Sequence, residues 1–185
     1  MMKSLAKRAM TTTGQKACIV IDHLVEALGN EPSSSLRRAE ILIDIDQHPG
    51  TTQTAIMDRL KINKSALNRE IEWLFNYGCI MFQDDTKDGR AKKIHICGYS
   101  KKGLDAALDY CDGDHEKLKF FLQNTAKTLK QEKPSLRDAK IVAFLYERKQ
   151  ADKQALYNEL YDGSPSTDGR ALGKLIETGI VEDNA

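Results

Sequence analysis

Lys64, Ser65, Asn68, Arg69, Glu72 and Asn76 recur three and four residues apart, so a helix would align them along one side. Lysine, arginine, serine and asparagine donate to phosphate oxygens and to base edges, the chemistry of a helix lying in a DNA major groove. The opposite side carries Leu67, Ile71, Leu74 and Phe75, an apolar stripe that must be buried against a core. One helix with one face committed inward and the other furnished for nucleic acid is the chemical centre of this chain.

The elements that would aim this face are legible on either side of it. The stretch HPGTTQTAIMDRLKINKSALNREIEWLFNYGCIMF, His48 to Phe82, reads as a short helix over 52–60, a polar turn at 61–63 and a second helix over 64–77 that stops at Gly78. That is a helix-turn-helix, with the second helix as the reader and Thr52 at the start of the first as a further contact. Two apolar strands, 79–82 and 94–97, flank the loop QDDTKDGRAKK, whose Asp88-Gly89 is a strong hairpin signal. Lys87, Arg90, Lys92 and Lys93 give the hairpin a basic tip, which suits it to grip the DNA backbone beside the reader as a wing.

Before the reader, a helix over 15–28 carries Ile19, Val20, Leu24, Val25 and Leu28, a stripe that must pack on its own domain or on a second copy. A helix over 36–47 follows a Pro-Ser linker and ends at His48-Pro49-Gly50. After the hairpin come helices over 99–111 and 115–131, broken by Asp112-Gly113-Asp114. The aromatic-aliphatic side of the second of these is either packed on its own domain or a dimer seam.

From Leu36 to about Leu108 the chain resembles the winged-helix regulators of the MarR family. The resemblance rests on TAIMDRLKINKSALNREIEWLFNYGCI, on DDTKDGRAKKIHI and on YSKKGLDAAL. It implies a homodimer built from terminal helices, with Lys64, Ser65, Asn68 and Arg69 in the major groove and Arg90 of the wing in the minor groove. The spacing of aspartate and arginine in the wing only approximates the family pattern, and the C-terminal third exceeds the usual family helices. The family's ligand pocket is therefore not carried over.

From Pro134 the chain begins again. SLRRAEI at 35–41 matches SLRDAKI at 135–141, and QTAIMDRL at 53–60 matches KQALYNEL at 153–160, both at an offset of 100. With one more residue in the turn, Ser65, Arg69, Ile71, Leu74, Gly78 and Ile80 fall on Ser166, Arg170, Leu172, Leu175, Gly179 and Val181. The copy is degenerate: Gly169 and Gly173 weaken its reader helix, Asp168 takes the slot of Leu67, and no basic wing follows. Two roles stand for it: a protein contact, or a second DNA contact through Arg170 and Lys174.

The expected fold is therefore mainly α with small β-hairpin wings, an α+β tandem of winged helix-turn-helix units. Its parts are a basic arm and dimerisation helix (1–33), a DNA-binding domain (34–112), a connecting helix (113–133) and a degenerate second unit (134–185). The arm carries Lys3, Lys7, Arg8 and Lys16 with no apolar segment to make a secretion signal. Twenty-eight basic against 27 acidic residues leave a net charge of +1, which neither demands nor forbids nucleic acid.

No apolar run approaches the roughly 20 residues of a membrane span, and a cytoplasmic, nucleoid-associated place follows. Cys18, Cys79, Cys97 and Cys111 lack a C-x-x-C pair and read as reduced thiols. A zinc site from His95, Cys97, Cys111 and His115 lacks a tight knuckle, so neither metal nor cofactor is expected. No phosphate-cradling loop, nucleophile elbow or H-E-x-x-H occurs, which argues against an enzyme. The function expected is a sequence-specific binder of double-stranded DNA, a dimeric repressor occupying a palindromic operator. The alternative keeps the fold as a replication initiator or partition protein, or as a protein-interaction module of a chromosome- or plasmid-organising complex.

Overall fold

The computed structural model describes residues 13–84, 92–149, 151–160 and 165–183. In order they form α1 (Thr13–Ala27), α2 (Leu36–Gln47), α3 (Gln53–Leu60), α4 (Lys64–Asn76), β1 (Ile80–Asp84), β2 (Lys92–Ile96), α5 (Gly98–Asp109), α6 (His115–Leu129), α7 (Leu136–Arg148), α8 (Lys153–Glu159) and α9 (Pro165–Glu177). The fold is thus mainly helical with one small antiparallel hairpin, the α+β architecture of a winged helix. Of the expected basic arm only Lys16 falls among these residues, and it is exposed; Lys3, Lys7 and Arg8 lie outside them.

The centre of the first unit is α2. Leu36, Ala39, Ile41, Leu42, Ile43 and Ile45 are all buried, so the helix is apolar around most of its circumference. It packs against α3, β2 and α6. Ser35 starts it by accepting from Arg38 N, and His48 ends it before Pro49 and Gly50. The hairpin pairs Ile80 with Ile96 through to Asp84 with Lys92, and its base is widened by Ile94 N donating to Thr51 O (2.8 Å).

The stripe on α1 is spent inside the chain. Val20, Ile21, Leu24, Val25, Ala27 and Leu28 are buried, because α1 lies across α5 of the first unit and α7 of the second. Its seat on α5 depends on Gly103, where a Cβ would stand 2.7 Å from Ala27 N and 2.9 Å from Ala27 Cα. Helix propensity favours alanine over glycine by up to about 1 kcal/mol. Here the backbone contact overrides it. Gly103→Ala is expected to destabilise by about 1–3 kcal/mol, a fall in Tm of roughly 2–12 °C by differential scanning calorimetry. A rise in Tm would show that α1 does not sit so close to α5.

The second unit repeats the local signals of the first. Ser135 caps α7 with a reciprocal bond from Asp138, and Asp152 caps α8 through Ala155 N where Thr52 caps α3 through Ala55 N. Gly78 and Gly179 both take left-handed φ, and the amides that follow close the same turn, Cys79 N to Leu74 O and Ile180 N to Leu175 O. One expectation needs correction. Phe75 is 49% exposed, because it lies one residue past the buried position Leu74 and leans on Phe82 instead (ring centroids 5.2 Å apart). Asp168, in the slot of Leu67, is buried as that slot requires, and it is paired with Arg137.

Candidate nucleic-acid interface

The turn before the reader is set by two residues. Lys61 ends α3 in the left-handed region (φ 54°), and Asn63 caps α4 with its Oδ1 accepting from Ala66 N at 2.8 Å. The second is a site residue that a reading of 61–63 as a plain polar turn overlooks; an asparagine one residue before an apolar helical period is the signal. Ala66, Leu67, Ile71 and Leu74 then fix the inner face of α4 in the core.

What remains outward is the face the sequence singled out. Lys64, Ser65, Asn68, Arg69, Glu72 and Asn76 are all exposed. Ser65 donates to Asn63 Oδ1 at 3.0 Å, which ties it to the cap. The side chains of Lys64, Asn68 and Arg69 make no hydrogen bond or ion pair among the described residues, so their donors are available to a ligand. Thr52 is half-buried and its hydroxyl accepts from Ala55 N, which commits it first to capping α3.

The orientation of α3 beneath the reader is fixed by a clamp that hydropathy does not reveal. Arg59 Nε and Nη2 reach both oxygens of Asp44 on α2 (2.6–3.2 Å), and Nη2 also donates to Thr51 Oγ1 at 2.7 Å. Asp44 is 1% exposed, and its hydrogen bond holds the Arg59 guanidinium above its ordinary value. The available hint is an acid inside the otherwise apolar run Ile41–Ile45, where only a paired carboxylate is tolerated. On the other flank of α4, Arg38 bonds Glu70 (2.7 Å) and lies over Trp73, which stacks on Tyr77 at 3.9 Å.

On the hairpin, Lys92 is exposed and its ammonium stands 5.8 Å from the Phe82 ring; Lys93 is half-buried. Lys87 and Arg90 lie outside the described residues. In the second unit Arg170 is exposed but turns its Nε back to Ser166 O at 3.1 Å, and Lys174 is exposed. The structure therefore gathers Lys64, Ser65, Asn68 and Arg69 on one surface, with Arg170 and Lys174 on a separate helix.

Among the described residues no three His, Cys, Asp or Glu side chains gather as a metal site. No helix of the described residues is long and apolar enough to cross a membrane. Burial pushes the Cys18 thiol up to about 11, so little thiolate exists near neutral pH.

Residues 35–92 match the model of the MarR family, the span that holds α2, the helix-turn-helix and the hairpin. Among solved structures the chain is similar to the transcriptional regulator Tm0710 from Thermotoga maritima, at 18% identity and a TM-score of 0.41, over 69% of this chain and 83% of that one. No curated protein matches. Residues 35–92 are thus a MarR-like winged-helix segment of this chain.

Proposed function

We propose that the chain is a regulator of transcription that binds double-stranded DNA, laying α4 in the major groove and the hairpin against the neighbouring backbone, and that it represses by occupying its site. The observation that carries this reading is the outer face of α4: exposed, polar and, among the described residues, unpartnered at Lys64, Asn68 and Arg69, on a helix whose inner face is locked in the core. Phosphate contacts by Lys64, Lys92 and Lys93 would supply affinity that falls steeply with salt, and Asn68 and Arg69 would discriminate bases.

Arg69→Ala is expected to weaken binding to a selected duplex by about 5- to 150-fold, from the roughly 1–3 kcal/mol of one bidentate base contact. Its Tm should stay at the wild-type value, since Arg69 makes no bond within the described residues. Fluorescence anisotropy over a salt series gives both affinity and slope. Unchanged affinity and selectivity would remove α4 from the interface.

The net charge of +1 favours a second reading, a protein-interaction module built on the same fold. Anisotropy with random-sequence duplex at low salt separates the two, because a groove reader retains non-specific binding there.

A further inference from the structure

The two units meet through equivalent residues. Leu36 N donates to Pro134 O at 3.0 Å and Leu136 N donates to Ser34 O at 2.9 Å, on either side of an antiparallel bridge between Ser35 and Ser135. Each bond maps onto the other by the 100-residue offset of the repeat. A contact in which i meets j as j meets i is the self-complementary pattern of a two-fold dimer interface. Here both halves belong to one chain. Across the same junction α1 joins the units, with Lys140 Nζ 2.7 Å from Asp22 Oδ1 and Gly14 packed so tightly on α7 that a Cβ would stand 3.2 Å from Ala143 O.

The second unit has also lost the outer face of a reader. Ser65 and Arg69 recur as Ser166 and Arg170, but Lys64, Asn68, Glu72 and Asn76 correspond to Pro165, Gly169, Gly173 and Glu177, so two of the six outer positions have no side chain to reach a base and the lysine and asparagine donors are gone. Among the described residues no strand follows α9. What the copy retains is the seam: the serine caps, the bridge, and the buried Leu36 and Leu136 beside it.

We propose that the second unit is the chain's own pairing partner: the dyad closes within one polypeptide, and the DNA-binding form is a single chain that reads an asymmetric site with one reader helix and one hairpin. This departs from the homodimer that the sequence resemblance implies. The seam stands on the geometry alone; the asymmetric site rests on the function proposed above.

Ser35 and Ser135 form a non-hydrogen-bonded antiparallel pair, whose Cα atoms lie about 4.5 Å apart, within disulfide range. Mild diamide oxidation of S35C/S135C is therefore expected to give a cross-link within one chain, running as a monomer on a non-reducing gel. Peptide mapping separates it from Cys18, Cys79, Cys97 and Cys111. Unmodified protein should sediment at 20.8 kDa across its concentration range, bind duplex one to one, and select a motif without two-fold symmetry.

A covalent dimer band, or a mass about twice that of the chain, would overturn the closed dyad. So would a natively folded S35C/S135C chain that resists cross-linking, with native circular dichroism of S35C and of S135C, each alone, excluding loss of either cap. An inverted-repeat motif bound by two chains would overturn the asymmetric site. Failure to bind any duplex would overturn both the asymmetric site and the DNA-binding reading, while gel and sedimentation still decide the seam.

Discussion

Asp168→Leu is expected to destabilise the protein by about 3–5 kcal/mol, although it installs the residue that the first unit carries at the same position. In the first unit Leu67 fills the slot, fully buried, and Arg37 is exposed. In the second unit the slot holds Asp168, its side chain 2% exposed, paired with an Arg137 side chain that is 8% exposed. Arg137 Nε is itself buried without a partner among the described residues, so the guanidinium has one donor that the pair with Asp168 does not satisfy. Removing the carboxylate leaves a buried cation with nothing to neutralise it, and that penalty exceeds any gain from added apolar area.

The double variant R137M/D168L removes both charges and is expected to return to within about 1 kcal/mol of wild type, or above it, as buried pairs replaced by apolar residues often do. Urea midpoints of the two singles, the double and wild type give the coupling directly. A single-variant loss below about 1 kcal/mol would mean that Arg137 escapes to water, and that α7 and α9 are not packed as described.

That pair also marks the boundary of what the sequence makes legible. The repeat, the serine caps, the helix-turn-helix and the hairpin are written in local signals: a hydroxyl or amide before an apolar period, a glycine after it, alternating strands. The outer face of α4 was readable for the same reason, since helical spacing alone separates Asn68 and Arg69 from Leu67 and Ile71. Asp168 and Asp44 were not readable, because a carboxylate is ordinarily a surface residue and its partner lies elsewhere in the chain: Arg137, 31 positions away, and Arg59, 15 positions away. Phe75 failed by one helical step, where a 100° rotation carries an apolar residue off the core and onto the hairpin. The seam at Ser35 and Ser135 is invisible to periodicity, since it involves backbone groups; only the repeat itself points to it.

Arg59→Ala is expected to cost about 3–5 kcal/mol and to weaken DNA binding as well, which distinguishes it from Arg69→Ala. Arg59 supplies the fork that spans both oxygens of a carboxylate 1% exposed, and its loss strands that charge beneath α3. Its own side chain is 31% exposed, so the penalty comes chiefly from Asp44 rather than from lost packing. The same guanidinium holds Thr51 Oγ1, and Thr51 O receives Ile94 N of β2, so helix-turn-helix and hairpin are registered through one side chain.

Arg59→Lys keeps the charge but not the two-pronged geometry, and an intermediate loss is expected. Thermal unfolding should show Arg59→Ala about 6–20 °C below wild type. Anisotropy at a temperature where that variant is still folded then reports whether a loosened α3 misplaces α4. D44L/R59M removes the buried charge and should recover most of the stability. If it recovers affinity too, the clamp serves mainly to keep Asp44 neutralised; if affinity stays low while stability returns, the clamp positions the reader. Wild-type stability in Arg59→Ala would refute both accounts, because no buried carboxylate could then depend on it.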